Sequence, residues 1–327
     1  MKTYLTLIAS AAIFAALPLS AQNAAQEAKT YPAPGEIVAA AKAEEWMAIS
    51  PADLLVMDLD PDAKNKPRRV VIQLMPAPFS QGWIGNIRKL AAAHWWDGTA
   101  VVRVQDNYVT QWGDPTEKKP LPEGLVVVPE SEYESRADVT GNVKWISDGV
   151  EQAVSAKATL NGERGETTVF DAYLNDTGMW KGWPLAIAEN AWPVHCYAMV
   201  GVGRNLSPDT GTGAELYTVI GHAPRHLDRN IALVGRVIEG IEHLSSLPRG
   251  TGALGFYEKD EDRVTILSVR LGNEGSDVPA FEYLSTESAS FAAYADARAN
   301  RRDPFFIKPA GGADICNIPV PVRRKAK

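Results

Sequence analysis

The sequence predicts a mainly β protein whose sheet closes on itself, with only a few helices. Short runs rich in Val, Ile and Leu recur along the chain, clusters of turn residues separate them, and few stretches have helical spacing. Many short strands with two or three helices favour a closed sheet. The chain has 327 residues, 45% of them hydrophobic and 22% charged, which is typical of a folded protein of about two domains, or of one large β domain with additions.

The N-terminus has the features of a secretory signal peptide over residues 1–21. Lys2 gives a positive start, an uncharged apolar run extends from Leu5 to Leu19, and Ser20-Ala21 supplies the small residues that signal peptidase prefers. The run is too short to span a bilayer comfortably, so we expect a soluble, exported, periplasmic protein. Residues 22–45 are rich in Ala, Pro and polar residues and are interpreted as a spacer with room for one short helix.

The closed sheet is expected within residues 46–272. Its predicted strands are 53–59, 69–75, 99–104, 108–112, 194–200, 214–220, 231–237 and 263–271, and a local strand at 125–128 is predicted within a long insertion. One helix is predicted where Trp83 and Ile87 fall at helical spacing, and a second at 238–247. The turn pair Asp106-Asn107 predicts a hairpin between two of the strands.

Two further segments lack this regular strand pattern. From about 117 to 190 the periodicity is weak and Pro, Gly, Glu and Asp recur, so this stretch is interpreted as a long insertion. Residues 273–327 form a C-terminal extension with a predicted helix at 285–299. The extension ends in a basic run, interpreted as a solvated end, of Arg323, Arg324, Lys325 and Lys327.

The charge balance bears on which partners the protein can bind, and the cysteines bear on the compartment in which it folds. A formal net charge of −7 lacks the positive excess that nucleic-acid binding requires, so no nucleic-acid partner is expected. Cys196 and Cys316 are the only cysteines, and in an oxidising compartment an even count favours a disulfide between them. Two buried thiols are the alternative.

The motifs for cofactors, metals and nucleophiles are incomplete, so none of these groups is predicted. Gly201-Val202-Gly203 follows a strand but lacks the rest of a dinucleotide fingerprint, and Gly211-Thr212-Gly213 lacks the Gly-Lys-Ser/Thr of a phosphate loop. His222 and His226 stand four apart, but Pro224 breaks the helical geometry that two zinc ligands would need. There is no Gly-x-Ser-x-Gly elbow, and the histidines have no recognisable nucleophile as a partner.

Several blocks of sequence carry a family resemblance in a preserved order. Residues 96–104, WDGTAVVRV, followed by 108–116, YVTQWGDPT, resemble the core signature of cyclophilin-type peptidyl-prolyl isomerases. In that family an aromatic-x-Gly-Ser/Thr turn leads to a Phe-His-Arg-Val-like strand and then to Phe-Met-x-Gln-Gly-Gly-Asp. The resemblance extends from about Arg68 to Leu271 and includes further similar blocks at 70–76, 87–90, 198–200, 213–217, 227–228 and 233–237.

The resemblance implies an eight-stranded antiparallel barrel capped by two helices, with a proline-binding groove on its outer surface. It implies that Arg103 is the catalytic residue and that no metal or cofactor is needed. Gln111 would hold the arginine and the substrate backbone. The residues matching the apolar pocket for the proline ring are Tyr108, Val109, Tyr217 and Leu227.

A guanidinium can catalyse rotation about an X-Pro bond without forming a covalent intermediate. The barrier is about 18–20 kcal/mol because amide resonance is lost in the twisted state. Uncatalysed exchange takes tens of seconds, so exchange in under a millisecond requires roughly 7 kcal/mol of differential stabilisation. A charged group with fixed donors can supply this by bonding to the freed nitrogen lone pair or by holding the carbonyl.

Five positions depart from the family pattern. Val102 replaces the family's His beside the arginine, Glu215 its second Gln, His226 its pocket-rim Trp, Ile231 its later His and Val200 an Ala. An ion pair from Glu215 to the catalytic arginine would occupy donors that the substrate needs. These changes predict reduced activity, and weak binding of the family's cyclic peptide inhibitor.

The leading hypothesis is a peptidyl-prolyl isomerase that acts on X-Pro bonds in proline-containing segments of exported proteins and assists their folding. The alternative is a catalytically weak or inactive proline-peptide-binding module or chaperone of the envelope, suggested by Glu215, His226 and Ile231. A third hypothesis is an envelope interaction protein that makes its contacts through the insertion. The sequence leaves the oligomeric state open.

Overall fold

The computed structural model of the chain describes residues 31–135, 144–145, 157–160, 163–166, 176–275 and 277–325. The predicted signal peptide, 1–21, lies outside the described residues, as does much of the predicted insertion. Numbered in chain order, the strands are β1 (Trp46–Ala48), β2 (Leu54–Leu59), β3 (Arg68–Leu74), β4 (Ala100–Val104), β5 (Val109–Gly113), β6 (Lys144–Trp145), β7 (Lys157–Leu160), β8 (Glu163–Glu166), β9 (Asp176–Trp180), β10 (Trp183–Ile187), β11 (Ala191–Pro193), β12 (Met199–Val202), β13 (Leu216–Val219), β14 (Leu233–Glu239), β15 (Val264–Leu271), β16 (Phe281–Leu284) and β17 (Val322–Arg324). The α-helices are α1 (Pro34–Ala40), α2 (Gln81–Ala92), α3 (Glu242–Ser245) and α4 (Ala289–Ala299).

Eight strands close into an antiparallel barrel, which confirms the predicted fold. Their hydrogen-bonded order is β12-β13-β5-β4-β15-β2-β3-β14. Successive side chains of a strand point to opposite faces, so each strand contributes apolar residues to the interior and other residues to the outer surface. The main core includes Leu55, Met57, Leu59, Val70, Ile72, Leu74, Val101, Val104, Trp112, Val202, Leu216 and Ile266.

Helix α2 packs against the barrel through the apolar face predicted for it. Trp83, Ile87 and Leu90 are fully buried in the main core. Asn86 is also fully buried, and its amide bonds the backbone of Val126 in both directions, at 2.8 and 2.9 Å. The predicted strand at 125–128 is therefore wrong, because a side chain supplies the partner that a neighbouring strand would otherwise provide.

Two further predicted elements differ in the structure. The predicted helix at 238–247 is shortened to the single turn of α3, because β14 continues to Glu239 and Gly240 then turns the chain at φ +83°. A Cβ on Gly240 would lie 2.0 Å from the Arg69 carbonyl oxygen, so the close approach requires glycine. The predicted strand at 194–200 is wrong over most of its length, since β12 begins only at Met199.

The segments flanking the barrel pack against one another. Strand β16 lies between β1 and β17, and helix α1 contacts helix α4. Part of the predicted spacer is thus ordered structure. The basic C-terminus is likewise paired, because Arg323 binds Glu282 at 2.6 Å and Arg324 binds Glu239 at 2.5 Å. Both arginines are nevertheless exposed, as expected for a solvated end, and each also pairs with a carboxylate of the fold.

Further contacts join the additions to the barrel. Cys196, just before β12, forms a disulfide with Cys316 of the C-terminal extension. Strands β10, β9 and β6, within the predicted insertion, form a separate four-stranded sheet with β11, which follows the insertion directly. The buried Arg236 of β14 donates to the carbonyl of Gly182 at 2.7 Å and lies over the Trp183 ring, which fixes that sheet to the barrel. No helix among the described residues has the length and apolar character needed to cross a membrane.

Candidate functional site

A groove of about 660 Å³ runs along the outer surface of the barrel, over β4, β5 and β13. Of the predicted site residues, those that line it are Arg103, Tyr108, Val109, Gln111, Glu215, Tyr217, Leu227 and Ile231. Val200 and His226 are the predicted site residues that do not. The groove has a polar half around the guanidinium and an apolar half around the ring of Tyr217.

A β-bulge places Arg103 opposite Gln111. Strands β4 and β5 pair Val101 with Trp112, and their register then shifts so that Arg103 pairs with Gln111. Val102 is the extra residue of the bulge. Since Val101 and Val104 are fully buried in the core, the irregularity directs the intervening arginine outward.

Three hydrogen bonds orient the half-buried guanidinium of Arg103. Its Nε donates to the Leu254 carbonyl at 2.7 Å, one Nη donates to Gln111 Oε1 at 3.1 Å, and the other Nη donates to Gln105 Oε1. A guanidinium carries five N–H groups, so with these partners among the described residues two N–H groups can face the groove.

Two aromatic rings flank the same guanidinium. Its carbon lies 5.6 Å from the centre of the Tyr108 ring and 5.4 Å from that of Phe256. Burial lowers the pKa of Arg103 from its usual value, but a guanidinium stays charged at neutral pH. Burial raises the pKa of Tyr108, so its phenol stays neutral. The polar half therefore holds a fixed positive charge with reduced access to water, where its field is strong.

Glu215 reaches the arginine only through Gln111. The Gln111 amide nitrogen donates to Glu215 Oε2 at 2.9 Å, while its oxygen accepts from Arg103. Among the described residues no direct Arg103–Glu215 ion pair is present, so this carboxylate does not occupy the donors of the guanidinium. Burial, reinforced by Glu117 and Asp114, raises the pKa of Glu215 against the opposing hydrogen bond from Gln111.

The apolar half is a separate hydrophobic cluster on the outside of the barrel. Val109, Tyr217 and Val219 form its buried base. Its partly buried rim consists of Tyr108, Leu227 and Ile231. This arrangement places an apolar surface beside a cation, since Tyr108 of its rim also flanks the Arg103 guanidinium.

Two predicted site residues lie elsewhere. Val200 is fully buried in the main core, because residues of β12 alternate and its neighbour Gly201 faces the groove side instead. Gly201 pairs with Tyr217, and a Cβ there would lie 2.3 Å from the phenol carbon of that tyrosine. The glycine is thus needed for the ring to lie across the strand. His226 is exposed at the rim and stacks on Tyr108, with 6.1 Å between the ring centres.

Sequence reasoning missed the wall formed by Leu254 and Phe256. The loop that carries them turns at Leu254, whose φ is +56°. The Leu254 carbonyl and the Phe256 ring both contact Arg103, about 150 positions earlier in the chain. The run Gly250-Thr251-Gly252 marks this stretch as a loop. Nothing in that pattern indicates which strand the loop touches.

A buried polar network behind Tyr217 was also missed. His195 and Asp228 are almost completely buried, and their side chains meet at 2.8 Å, Nδ1 to Oδ1. The other ring nitrogen of His195 lies 3.0 Å from the hydroxyl of Tyr217, and Arg225 Nε donates to Asp228 Oδ2 at 2.6 Å. Burial opposes ionisation of Asp228, but the bonds from His195 and Arg225 outweigh it and lower its pKa.

Comparison with known proteins identifies a family for this arrangement. Residues 68–271, more than half of the chain, match the family described as cyclophilin type peptidyl-prolyl cis-trans isomerase/CLD. A crystal structure of the cyclophilin AquaCyp293 from Hirschia baltica superposes with a TM-score of 0.60 at 19% identity, covering 86% of this chain and 95% of that one. A cyclophilin-type isomerase from Cryptosporidium parvum, solved in the presence of the dipeptide Ala-Pro, has a TM-score of 0.36 at 10% identity, over 66% of this chain and 98% of that one. No curated protein matches the sequence.

Proposed function

Because the chain belongs to the cyclophilin-type peptidyl-prolyl cis-trans isomerases, we propose that its groove is the active site and that Arg103 is the electrostatic catalyst. The observation that carries this proposal is the pairing of Arg103 with Gln111 beside the apolar cluster of Tyr217. A proline ring in the apolar half would bring its peptide bond next to the guanidinium.

The chemistry needs no covalent step. As the X-Pro bond twists, the amide nitrogen becomes pyramidal and its lone pair is freed from resonance. The guanidinium N–H groups that can face the groove would donate to that lone pair or to the carbonyl oxygen, and both interactions favour the twisted state over the planar one. Because three hydrogen bonds already orient Arg103, little reorganisation is required during the reaction.

The remaining groove residues would bind and orient the substrate. Val109, Tyr217, Leu227 and Ile231 would grip the proline ring. Gln111 would fix the guanidinium through its oxygen. These contacts exist in both the cis and trans complexes, so they contribute to affinity, whereas the arginine contributes to the rate.

We further propose that the substrates are exported proteins and that the isomerase assists their folding in the periplasm. The N-terminal sequence, with its charged start and apolar run, supports export. The disulfide between Cys196 and Cys316 also supports an oxidising compartment. Secretion of a fusion carrying residues 1–21, with cleavage after Ala21, is the expected result, and retention of the fusion in the cytoplasm would contradict it.

The isomerase proposal is tested by exchange NMR on short X-Pro peptides, using mature protein from about Gln22. We expect the wild type to accelerate exchange between the cis and trans peptide signals, and Arg103→Ala to lose most of the acceleration. A variant as fast as the wild type would reject this mechanism.

A second candidate function is a proline-peptide-binding module or chaperone of the envelope without efficient turnover. The observation in its favour is that Glu215 holds the amide nitrogen of Gln111, which is then engaged within the protein rather than available to a substrate backbone. In the same titration, peptide shifts or line broadening without faster exchange would support this function over the isomerase.

A further inference from the structure

We propose that His195 is a positioning residue of the proline pocket, fixing the ring of Tyr217 relative to the turn that carries Leu227. This proposal rests on the function proposed for the groove and extends it to a residue that lies behind the pocket wall. The juxtaposition that carries it is a continuous buried chain of hydrogen bonds from the Tyr217 hydroxyl to Asp228, the residue that follows Leu227.

The direction of the His195–Asp228 bond follows from the charge state of Asp228. The lowered pKa of this residue keeps the carboxylate ionised, so it can only accept, and we therefore assign a proton of His195 to Nδ1. Burial raises the pKa of Tyr217 well above its usual range, so the phenol keeps its proton and its hydroxyl forms the hydrogen bond with Nε2 at 3.0 Å.

The network joins two walls of the pocket that come from different parts of the fold. Tyr217 belongs to β13, whereas Leu227 ends the short turn Arg225–Leu227 before β14. The carboxylate of Asp228 accepts from the ring of His195, from its backbone N–H at 2.9 Å and from Arg225. The turn and the histidine are therefore held together at several points, and Tyr217 is tethered to both.

The backbone is adapted to the same arrangement. The Tyr217 ring crosses β12 above Gly201, where any side chain would collide with the phenol end. His195 stacks nearly parallel to that ring, with 6.4 Å between the centres and 13° between the planes. A phenylalanine would fill the same pocket base without the hydroxyl, so the hydroxyl contributes the tether rather than apolar contact.

Tyr217→Phe and His195→Gln, singly and combined, test this inference. Since the pocket grips the ring before and during rotation, we expect each single variant to raise KM and the peptide Kd about fivefold with kcat within twofold, the size expected for one hydrogen bond. In the double variant the two effects should not multiply, because His195 acts through Tyr217. Tyr294→Phe is the matched control. It removes the hydroxyl of another buried tyrosine, which donates to the Pro319 carbonyl at 2.7 Å and does not line the groove.

The outcomes separate this inference from the isomerase proposal. The inference about His195 is overturned if the single variants lose stability like the control but keep the wild-type KM and Kd. It is also overturned if the two effects multiply in the double variant. If His195→Gln does not fold, the comparison of Tyr217→Phe with Tyr294→Phe decides alone. If the wild type binds peptide without accelerating exchange, the isomerase proposal is rejected, but the peptide Kd still tests the role of His195. If the wild type does not bind peptide, both proposals are rejected.

Discussion

The two halves of the groove are built on different principles. In the apolar half the base residue Tyr217 is buried and tied, through His195 and Asp228, to other buried groups. In the polar half Arg103 is only half-buried, and its partners are the Leu254 carbonyl and the side chains of Gln105 and Gln111. The apolar half is thus fixed by the buried groups behind it, whereas the polar half is fixed by hydrogen bonds to the guanidinium itself.

This difference assigns separate tasks to the two halves. A pocket for a rigid proline ring binds better when its shape is already fixed, because its side chains then lose little conformational entropy on binding. A guanidinium held in one position can donate to the amide in its twisted state without reorganising. Variants of the polar half should therefore change kcat, and variants of the apolar half should change KM.

The largest effect is expected from the polar half. Arg103→Ala should lower kcat/KM by about 10²–10³-fold, the loss typical when a preorganised donor is removed. Arg103→Lys should recover only a small part, since an ammonium keeps the charge but lacks the planar fork. Rates come from exchange NMR. The control Arg249→Ala removes a more exposed arginine, paired with Asp106, that does not line the groove. Equal rates for Arg103→Lys and the wild type would show that charge alone suffices.

An intermediate effect is expected from the apolar half. Leu227→Ala removes part of the pocket rim, and burying about half of the lost side chain against proline corresponds to roughly 1.2 kcal/mol. We expect KM to rise about tenfold with kcat unchanged. Leu267→Ala is the matched control, because Leu267 is half-exposed on β15 and lies outside the groove. A fall in kcat with constant KM would reverse the assignment of tasks.

A smaller effect is expected at Glu215, which connects to Arg103 through Gln111. Burial, with Glu117 and Asp114 adding to it, raises the pKa of Glu215 above its ordinary 4.5. Ionised, the carboxylate holds the Gln111 amide and weakens the positive field of the guanidinium. Glu215→Gln should raise kcat/KM about threefold at pH 7. Wild-type activity should rise towards this level as the pH falls through the raised pKa, and the variant should show no such rise.

The raised pKa of Glu215 also makes the free energy of unfolding depend on pH. A carboxyl with a raised pKa in the folded state binds its proton more tightly there than in the unfolded chain. Ionisation of Glu215 therefore costs stability as the pH rises from 4.5 through the folded pKa. Urea unfolding should find Glu215→Gln more stable than the wild type at pH 7 and equal to it at pH 4. A variant less stable at pH 7 would contradict the direction of the shift.

The sequence predicts the barrel well because strand alternation is a local signal. The resemblance to the isomerase family also indicates Arg103, Gln111 and Tyr217, because these lie in short family motifs, and the structure brings all three to one groove. Val200 shows where a motif alone fails, since the period of two along β12 turns it inward. Alternation with the outward Gly201 could have indicated this.

The rest of the site depends on contacts between distant segments, which no local pattern encodes. The carbonyl of Leu254 is a backbone group, so its residue type reveals nothing about the bond it accepts from Arg103. No sequence motif links His195 to Tyr217 or Asp228. Only the fold buries the three side chains together and brings them within hydrogen-bond distance. The same applies to α1, whose Ala-rich sequence resembles a spacer until it packs against α4.

The smallest effect on the groove is expected from the disulfide, although Cys196 directly follows His195 in the chain. Cys196 and Cys316 are 120 residues apart, and a loop of this length is worth about 2–5 kcal/mol of unfolding free energy. Cys196→Ser with Cys316→Ser should lower the urea midpoint accordingly but leave kcat/KM within twofold, because Asp228 holds both the backbone and the ring of His195 independently of the sulfur atoms. Intact-mass measurement before and after reduction checks the bond itself. A selective rise in KM in the double serine variant would show instead that the C-terminal extension supports the pocket, so that the apolar half would depend on the additions as well as on the barrel.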